Sequence, residues 1–311
     1  VAAYDIVKNI SENFSQKNAG VKACSELEEL LESVDAVYIA TPHLSHEEYI
    51  RKAIEKGKHA LCETPLVLNG KTAKDLYSRA EEKGVILMEA NKTAHCPAFN
   101  HLVTLVKSGV IGKVVDVEAS LSKLWDDDMS LREFDSNQAG GSFFELGSYP
   151  LLPIVKFCGI NYEHLNLYAR MQNGVDMFTK GDFRYADAVC SFKVGLGVKT
   201  EGNLVISGTK GYVYVPAPWW KTDFFEIRYE NQNENKKFFY KWDDFGLRYE
   251  IQEFISCIVN NRFSSARLRR RESICMAEIM GFFNEWMNGK KVGDACELAS
   301  STASKVSLYK I

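Results

Sequence analysis

Residues 36–65 read AVYIATPHLSHEEYIRKAIEKGKHALCETP. AVYIA (36–40) and HALCE (59–63) are short apolar runs of the buried-strand type, and HEEYIRKAIEKG (46–57) between them is amphipathic at helical spacing. That helix ends at Gly57, where a left-handed cap is wanted. The pattern repeats: GKTAKDLYSRAEEKG (70–84) is a second helix closed by Gly84, and VILMEA (85–90) is a third buried strand. Strand–helix–strand alternation implies right-handed crossovers and a parallel sheet. Upstream, VAAYD (1–5) reads as a strand entering the same sheet. SELEELLES (25–33) reads as a helix with a capping box made by Ser25 and Glu28.

After about residue 112 the rhythm changes. KVVDVEASLSKLW (113–125), EHLNLYARM (163–171), DAVCSFKV (187–194), KTEGNLVISG (199–208) and GYVYVP (211–216) follow one another with turns between, then DFFEIRYEN (223–231) and KKFFYKW (236–242). A run of strands without intervening helices implies a large, mostly antiparallel sheet. Helices are expected near 148–158, at RYEIQEFISCIVNN (248–261) and near 267–288. The fold class is therefore an α/β Rossmann-like parallel-sheet domain over residues 1–94, followed by an α+β domain with an open-faced sheet over residues 95–311.

The 311 residues suffice for about two domains. With 46% hydrophobic and 25% charged residues, such a chain buries a full core without disulfide or metal. The balance of 38 Lys and Arg against 41 Asp and Glu leaves a net charge of −3, which excludes nucleic-acid or membrane-surface binding driven by net charge. Mean hydropathy is −0.22, and no apolar run approaches the ~20 residues of a membrane span. The opening VAAYDIVKN lacks the pattern of a secretory signal. The cysteines, Cys24, Cys62, Cys96, Cys158, Cys190, Cys257, Cys275 and Cys296, are scattered and form no C-x-x-C pair. These features point to a cytoplasmic protein with reduced, mostly buried thiols and no zinc site.

A dinucleotide fold ordinarily opens with a strand, a G-x-G-x-x-G turn and a helix whose N-terminus holds the pyrophosphate. Here VAAYD reads as the second strand of such a fold, so a first βα unit of about 25–30 residues is expected to precede it. Asp5 ends that strand, where an acid can bond an adenosine ribose and repel a 2′-phosphate. NAD is therefore slightly favoured over NADP, although Lys8 stands close by.

Five stretches agree in order and spacing with one family. They are TPHLSH (41–46), GKHALCETP (57–65), MEANKTAHCPAF (88–99), AGGSFFELGSYPL (139–151) and SGTKGYVYVPAP (207–218). Together they resemble the Gfo/Idh/MocA family of NAD(P)-dependent oxidoreductases, and the dihydrodiol-dehydrogenase branch in particular. The resemblance covers nearly the whole chain. It implies that Thr41 and Pro42 pass beside the nicotinamide ribose and that Glu63 bonds ribose hydroxyls, with His46, Thr64 and Asn91 also at the cofactor. His46 reads equally as a helix-capping or core-edge histidine.

Two departures from the family pattern bear on the chemistry. The family's E-K-P lysine is Thr64 here, which carries no charge to stabilise a developing alkoxide. The family's catalytic Asp is Glu145, and its His/Tyr position is Tyr149. A phenol titrates near ~10 and needs a neighbouring cation to act as a base at neutral pH. Lys92, just after the strand end at Glu89–Ala90, is the expected substitute cation. Pro150 and Pro153 place the helix start near 147–150, with Glu145 just ahead of it and a kink at Pro153.

These readings lead to a hydride-transferring oxidoreductase acting on a CH–OH or carbonyl carbon of a sugar or sugar-like polyol, with Tyr149 as proton relay and Glu145 and Lys92 tuning it. The cofactor is NAD or NADP, and a homodimer or homotetramer through the sheet face is expected by analogy of fold. A non-catalytic member that binds a nucleotide or sugar as sensor or scaffold is the alternative. A lyase or hydrolase using transient oxidation is a third possibility. Among weaker features, WDDDMS (125–130) reads as a solvated acidic loop and RLRRRES (267–273) as a basic helical turn. Trp219 and Trp220 read as interface aromatics rather than a sugar-stacking pair.

Overall fold

The structure, a computed structural model, describes residues 1–125, 130–242, 245–287, 298–299 and 305–310. Cys296 and most of the acidic loop, 126–129, lie outside the described residues. The first five strands form two parallel sheets. β1 (Ala2–Ala3) pairs with β2 (Lys22–Ala23), while β3 (Ala36–Ile39), β4 (His59–Glu63) and β5 (Leu87–Ala90) stand in that order in the other. The expected single parallel sheet is thus corrected. β1 and β3 lie in different sheets and do not pair with each other.

Helices α1 (Lys8–Lys17), α2 (Leu27–Ser33), α3 (His46–Glu55) and α4 (Gly70–Glu82) complete the crossovers. Gly57 and Gly84 follow α3 and α4 at φ 69° and 68°, the left-handed conformation expected of them. The capping box of α2 is shifted. The helix starts at Leu27, so Glu29 rather than Glu28 reaches back, accepting from Ser25 N at 3.0 Å.

The third and largest sheet has ten strands among the described residues. They are β6 (Val114–Lys123), β7 (His164–Gln172), β8 (Val175–Arg184), β9 (Val189–Leu196), β10 (Leu204–Gly208), β11 (Tyr212–Val215), β12 (Phe224–Arg228), β13 (Lys236–Phe239), β14 (Leu298–Ala299) and β15 (Lys305–Lys310). Their order is β13-β12-β11-β10-β6-β9-β8-β7-β15-β14, antiparallel except where β6 runs parallel to β9 and β7 to β15. β8 was not among the expected strands.

The remaining helices are α5 (Lys92–His95), α6 (Pro97–Lys107), α7 (Ser142–Leu146), α8 (Ser148–Phe157), α9 (Leu247–Val259) and α10 (Arg270–Met287). Residues of α6, α8 and α10 join one face of the large sheet in a single apolar core that includes Phe99, Leu151, Phe183, Phe192 and Phe283. Trp219 belongs to this core. It is fully buried and its indole N–H donates to Ser120 O at 2.9 Å, which corrects the interface reading for that residue.

The last two helices return to the first half of the chain. Phe254 and Cys257 of α9 pack on Leu61, Met88 and Ala90. α10 approaches α4 so closely that a Cβ at Gly70 would lie 2.7 Å from Glu278 Cβ.

Candidate active site

Alternation along β3, β4 and β5 sends Ala36, Leu61, Met88 and Ala90 toward α9. Tyr38 and Glu63, two residues beyond Ala36 and Leu61, share that face at the carboxyl ends of their strands. The Tyr38 hydroxyl donates to Glu63 Oε1, and the Thr64 N–H donates to Glu63 Oε2 at 3.3 Å. Burial, then Glu63, pushes the Tyr38 phenol far up. On the other face, the Thr64 hydroxyl donates to Glu89 Oε1 at 2.7 Å and the Leu66 N–H to the same oxygen at 3.2 Å. Burial nevertheless pushes the Glu89 carboxyl up. The hydroxyl at the family's lysine position is therefore bonded to the strand beside it.

His46 is completely buried. Its Nδ1 lies 3.0 Å from Pro65 O and its Nε2 2.7 Å from Thr41 O. This geometry fits the core-edge reading of His46: the ring ties the end of β3 to the turn after β4, and so places the backbone at Thr41 and Pro42. The Thr41 hydroxyl accepts from Ser45 Oγ at 2.8 Å. Asp5 and Thr41 line one cavity of about 180 Å³ with Tyr4, Tyr38 and Tyr49. Asp5 Oδ1 accepts from Val7 N at 2.7 Å. Lys8 points instead to Glu12, 3.6 Å away.

Asn91 follows β5 and is fully buried, and neither its amide nitrogen nor its amide oxygen has a partner. An unpaired buried amide is costly. A ligand offering both a donor and an acceptor at the strand ends resolves that cost. The residues present therefore fit a nicotinamide dinucleotide, with Asp5, Thr41, Glu63 and Asn91 on hand to hold it.

Tyr149 is partly exposed on α8. Burial, followed by the charges of Glu63 and Glu250, pushes its phenol well above the ordinary value. Lys92, expected to lower this phenol or to polarise the substrate oxygen, is not among the groups that set it. Lys92 opens α5 and is half-buried, but its charge acts on Glu250. Glu250, in the first turn of α9, was not among the sequence candidates. It is 1% exposed, and burial with help from Glu63 pushes its carboxyl up to about 8 against Lys92.

Glu145 lies inside α7, not ahead of a helix. The backbone remains helical through Gly147 into α8, where a Cβ would strike Phe143 O at 2.5 Å. Glu145 answers to different neighbours from Tyr149. Arg132 Nη1 is 2.9 Å from its Oε1, Arg132 Nη2 donates to its Oε2 at 3.1 Å, and His43 Nδ1 is 3.7 Å away. Burial pushes the Glu145 carboxyl up and Arg132 opposes this. Burial and Arg132 hold His43 down at about 3, so its imidazole is neutral at pH 7. Its place two residues after Thr41 was the available sequence signal for His43.

The basic turn at 267–273 is engaged elsewhere. Arg267 lies 3.5 Å from Glu253, and Arg270 pairs with Glu81. Among the described residues there is no cluster of His, Cys, Asp or Glu able to hold a metal.

Residues 1–91 match the family model described as an oxidoreductase family with an NAD-binding Rossmann fold, and residues 99–214 match the GFO/IDH/MocA C-terminal domain. The rabbit (Oryctolagus cuniculus) trans-1,2-dihydrobenzene-1,2-diol dehydrogenase is 30% identical over 291 residues, 90% of this chain and 87% of its own. The chain belongs to the Gfo/Idh/MocA family. Another relative of this Gfo/Idh/MocA chain is the scyllo-inositol 2-dehydrogenase (NADP(+)) of Bacillus subtilis (strain 168), 30% identical over 276 residues, 86% of this chain and 83% of the relative. A solved 3-ketoreductase from Actinomadura kijaniata, in complex with NADP and TDP-benzene, shares the fold at TM-score 0.76 and 19% identity, covering 100% of this chain and 90% of that one. As a Gfo/Idh/MocA member similar to named dehydrogenases, the chain is an NAD(P)-dependent oxidoreductase, and nothing in these likenesses favours a non-catalytic role.

Proposed function

We propose that the protein interconverts a CH–OH group and a carbonyl on a sugar-like polyol or cyclic diol, with Tyr149 donating the proton in the reductive direction. The dinucleotide, when bound, supplies or takes the hydride. The observation that carries this reading is a partly exposed phenol pushed up by burial and by two carboxyl groups at the strand ends. Such a phenol keeps its proton at neutral pH, which suits donation to an oxygen that gains negative charge as its carbon is reduced. Asp5, Thr41, Pro42, Glu63 and Asn91 hold the dinucleotide, with Thr64 and His46 bracing the loops that carry them. Arg132, His43 and Glu145 form a polar wall that orients substrate hydroxyls.

Residues 1–94 serve the dinucleotide and residues 95–311 the substrate. Subunits join as a homodimer or homotetramer through the uncovered face of the large sheet, where Val189 and Phe239 are 61% and 75% exposed among charged neighbours. Among the described residues no helix is long and apolar enough to cross a membrane. Among the described residues seven cysteines are free thiols, in keeping with a reducing setting. The test is Tyr149→Phe with scyllo-inositol and trans-1,2-dihydrobenzene-1,2-diol as substrates. Loss of turnover by about 100-fold or more with dinucleotide affinity within about twofold supports the assignment. Unchanged turnover removes Tyr149 from the chemistry.

A further inference from the structure

At the C-terminal end of α8 the fold brings two thiols into contact. Cys158 Sγ lies 3.2 Å from Cys190 Sγ. Cys96, Cys257 and Cys275 direct their sulfurs to oxygens instead, to Thr222 O at 3.3 Å, Glu253 Oε1 at 3.7 Å and Ile160 O at 3.9 Å.

The pair joins two different kinds of backbone. Cys190 stands in β9 between Val117 of β6 and Phe183 of β8, and it is completely buried. A strand paired on both sides has little freedom to shift. Cys158 caps α8, its N–H donating to Ile154 O at 2.9 Å, and it is partly exposed. The next residue, Gly159, turns the chain at φ 88°, and a Cβ there would meet nothing within 4 Å. The Tyr185 hydroxyl steadies this turn by donating to Gly159 O at 3.0 Å. A disulfide holds its sulfurs at about 2.05 Å, so closure from 3.2 Å takes about 1.2 Å. The open helix end can supply that movement where the strand cannot.

The two thiols also differ in reactivity. The contact with the Cys190 S–H favours a Cys158 thiolate and lowers that thiol, against burial and the Asp116 charge. The same contact, with burial, pushes the Cys190 thiol up. A partly exposed sulfur with a favoured thiolate is the one an oxidant meets first.

We propose that Cys158 and Cys190 form a redox-responsive dithiol that takes a hydroperoxide, with Cys158 as the reacting sulfur and Cys190 as the resolving one. With hydrogen peroxide, the Cys158 sulfur takes one hydroxyl. An S–O bond forms, the O–O bond breaks, and the other hydroxyl leaves as water with the thiol proton. The Cys190 sulfur then attacks Cys158. The S–S bond forms, the S–O bond breaks, and the departing hydroxyl takes the Cys190 proton as a second water. Two thiols are oxidised to one disulfide, and one peroxide is reduced to two waters. A thiol reductant reverses the link, so the pair stays open in a reducing setting. When closed, it ties the end of α8 to β9 and encloses β7 and β8 in a covalent loop, which restricts the unfolded chain.

The test treats the whole protein with hydrogen peroxide, alkylates the remaining thiols and maps peptides without reduction. The expected product is a Cys158–Cys190 link that forms before any other cysteine is modified and is removed by dithiothreitol. The linked protein should melt about 5 °C higher and return to its first Tm on reduction. Cys190→Ser should stop at a sulfenic acid on Cys158, trapped by dimedone. Cys158→Ser should leave Cys190 unreacted at the same peroxide dose. Alanine at either position serves if a buried serine hydroxyl prevents folding. A link from Cys158 to Cys275, oxidation that begins at another cysteine, or no link at all overturns the proposal. A linked protein that melts no higher than the reduced one also overturns it, because a pair held ready to close is not strained by closing.

Discussion

Lys92 shows how one side chain can hold the right charge and act on a different partner from the one its sequence position suggests. It replaces no lysine directly, because the position after Glu63 is a threonine bonded to Glu89. Its charge favours the Glu250 carboxylate, so Lys92→Met should push that carboxyl up further and lower turnover. Dinucleotide affinity should change by less than about twofold, and a pH–rate profile with a binding titration checks both. Asp5 allows a second residue-scale test. Its carboxylate shares a cavity with Thr41, and Lys8 is turned toward Glu12. Asp5→Asn should raise the preference for NADP over NAD by about tenfold, because the acid that repels a 2′-phosphate has lost its charge. Equal preference in both proteins would remove Asp5 from the cofactor contacts.

At the scale of elements, α7 and α8 carry Glu145 and Tyr149, and a single buried acid anchors their start. Asp176 of β8 accepts from Ser142 Oγ at 2.6 Å, from Phe143 N at 2.9 Å and from Thr179 Oγ1 at 2.6 Å. Burial pushes this carboxyl up to about 6 despite those bonds, above the ~3.9 of an unfolded chain. The raised value means that its contribution to stability is fully present below ~3.9 and is lost as the pH rises through about 6. Thermal unfolding of the wild type should therefore weaken across that window by up to about 3 kcal/mol relative to Asp176→Asn, which cannot titrate. Parallel curves for the two proteins would show that Asp176 is not so perturbed.

The anchor was hard to read from the sequence because β8 was. VDMFTKGDFR carries charges at Asp176, Lys180 and Asp182, which broke the apolar run. Yet Asn173 and Gly174, at φ 51° and 83°, are the two-residue hairpin signal that should have drawn β7 and β8 together. The strand–helix alternation of residues 36–90 was legible because short apolar runs and glycine stops mark it without long-range information. Glu250 was not legible. An acid one turn before Phe254 looks like a helix-start charge until α9 is known to lie on β4 and β5. His46 was legible as a residue with two readings, cofactor contact or core-edge histidine, since only the fold shows carbonyls on both sides of its ring.

For the whole molecule, the two halves are built into one site by the returning helices α9 and α10. α9 packs on β4 and β5 and carries Glu250 one turn before Phe254. α10 buries Glu272 against Lys156 of α8 at 2.6 Å, both about 5% exposed. The cavity holding Asp5 and Thr41 is lined by the residues just after β1, by α2 and by β3. The central claim is that this framework binds a nicotinamide dinucleotide for polyol oxidation or reduction. Native mass spectrometry of the protein with NADH and with NADPH tests it most directly. The account predicts oligomers carrying one dinucleotide per subunit, more completely from NADH than from NADPH. Subunits that stay bare with both cofactors would contradict it.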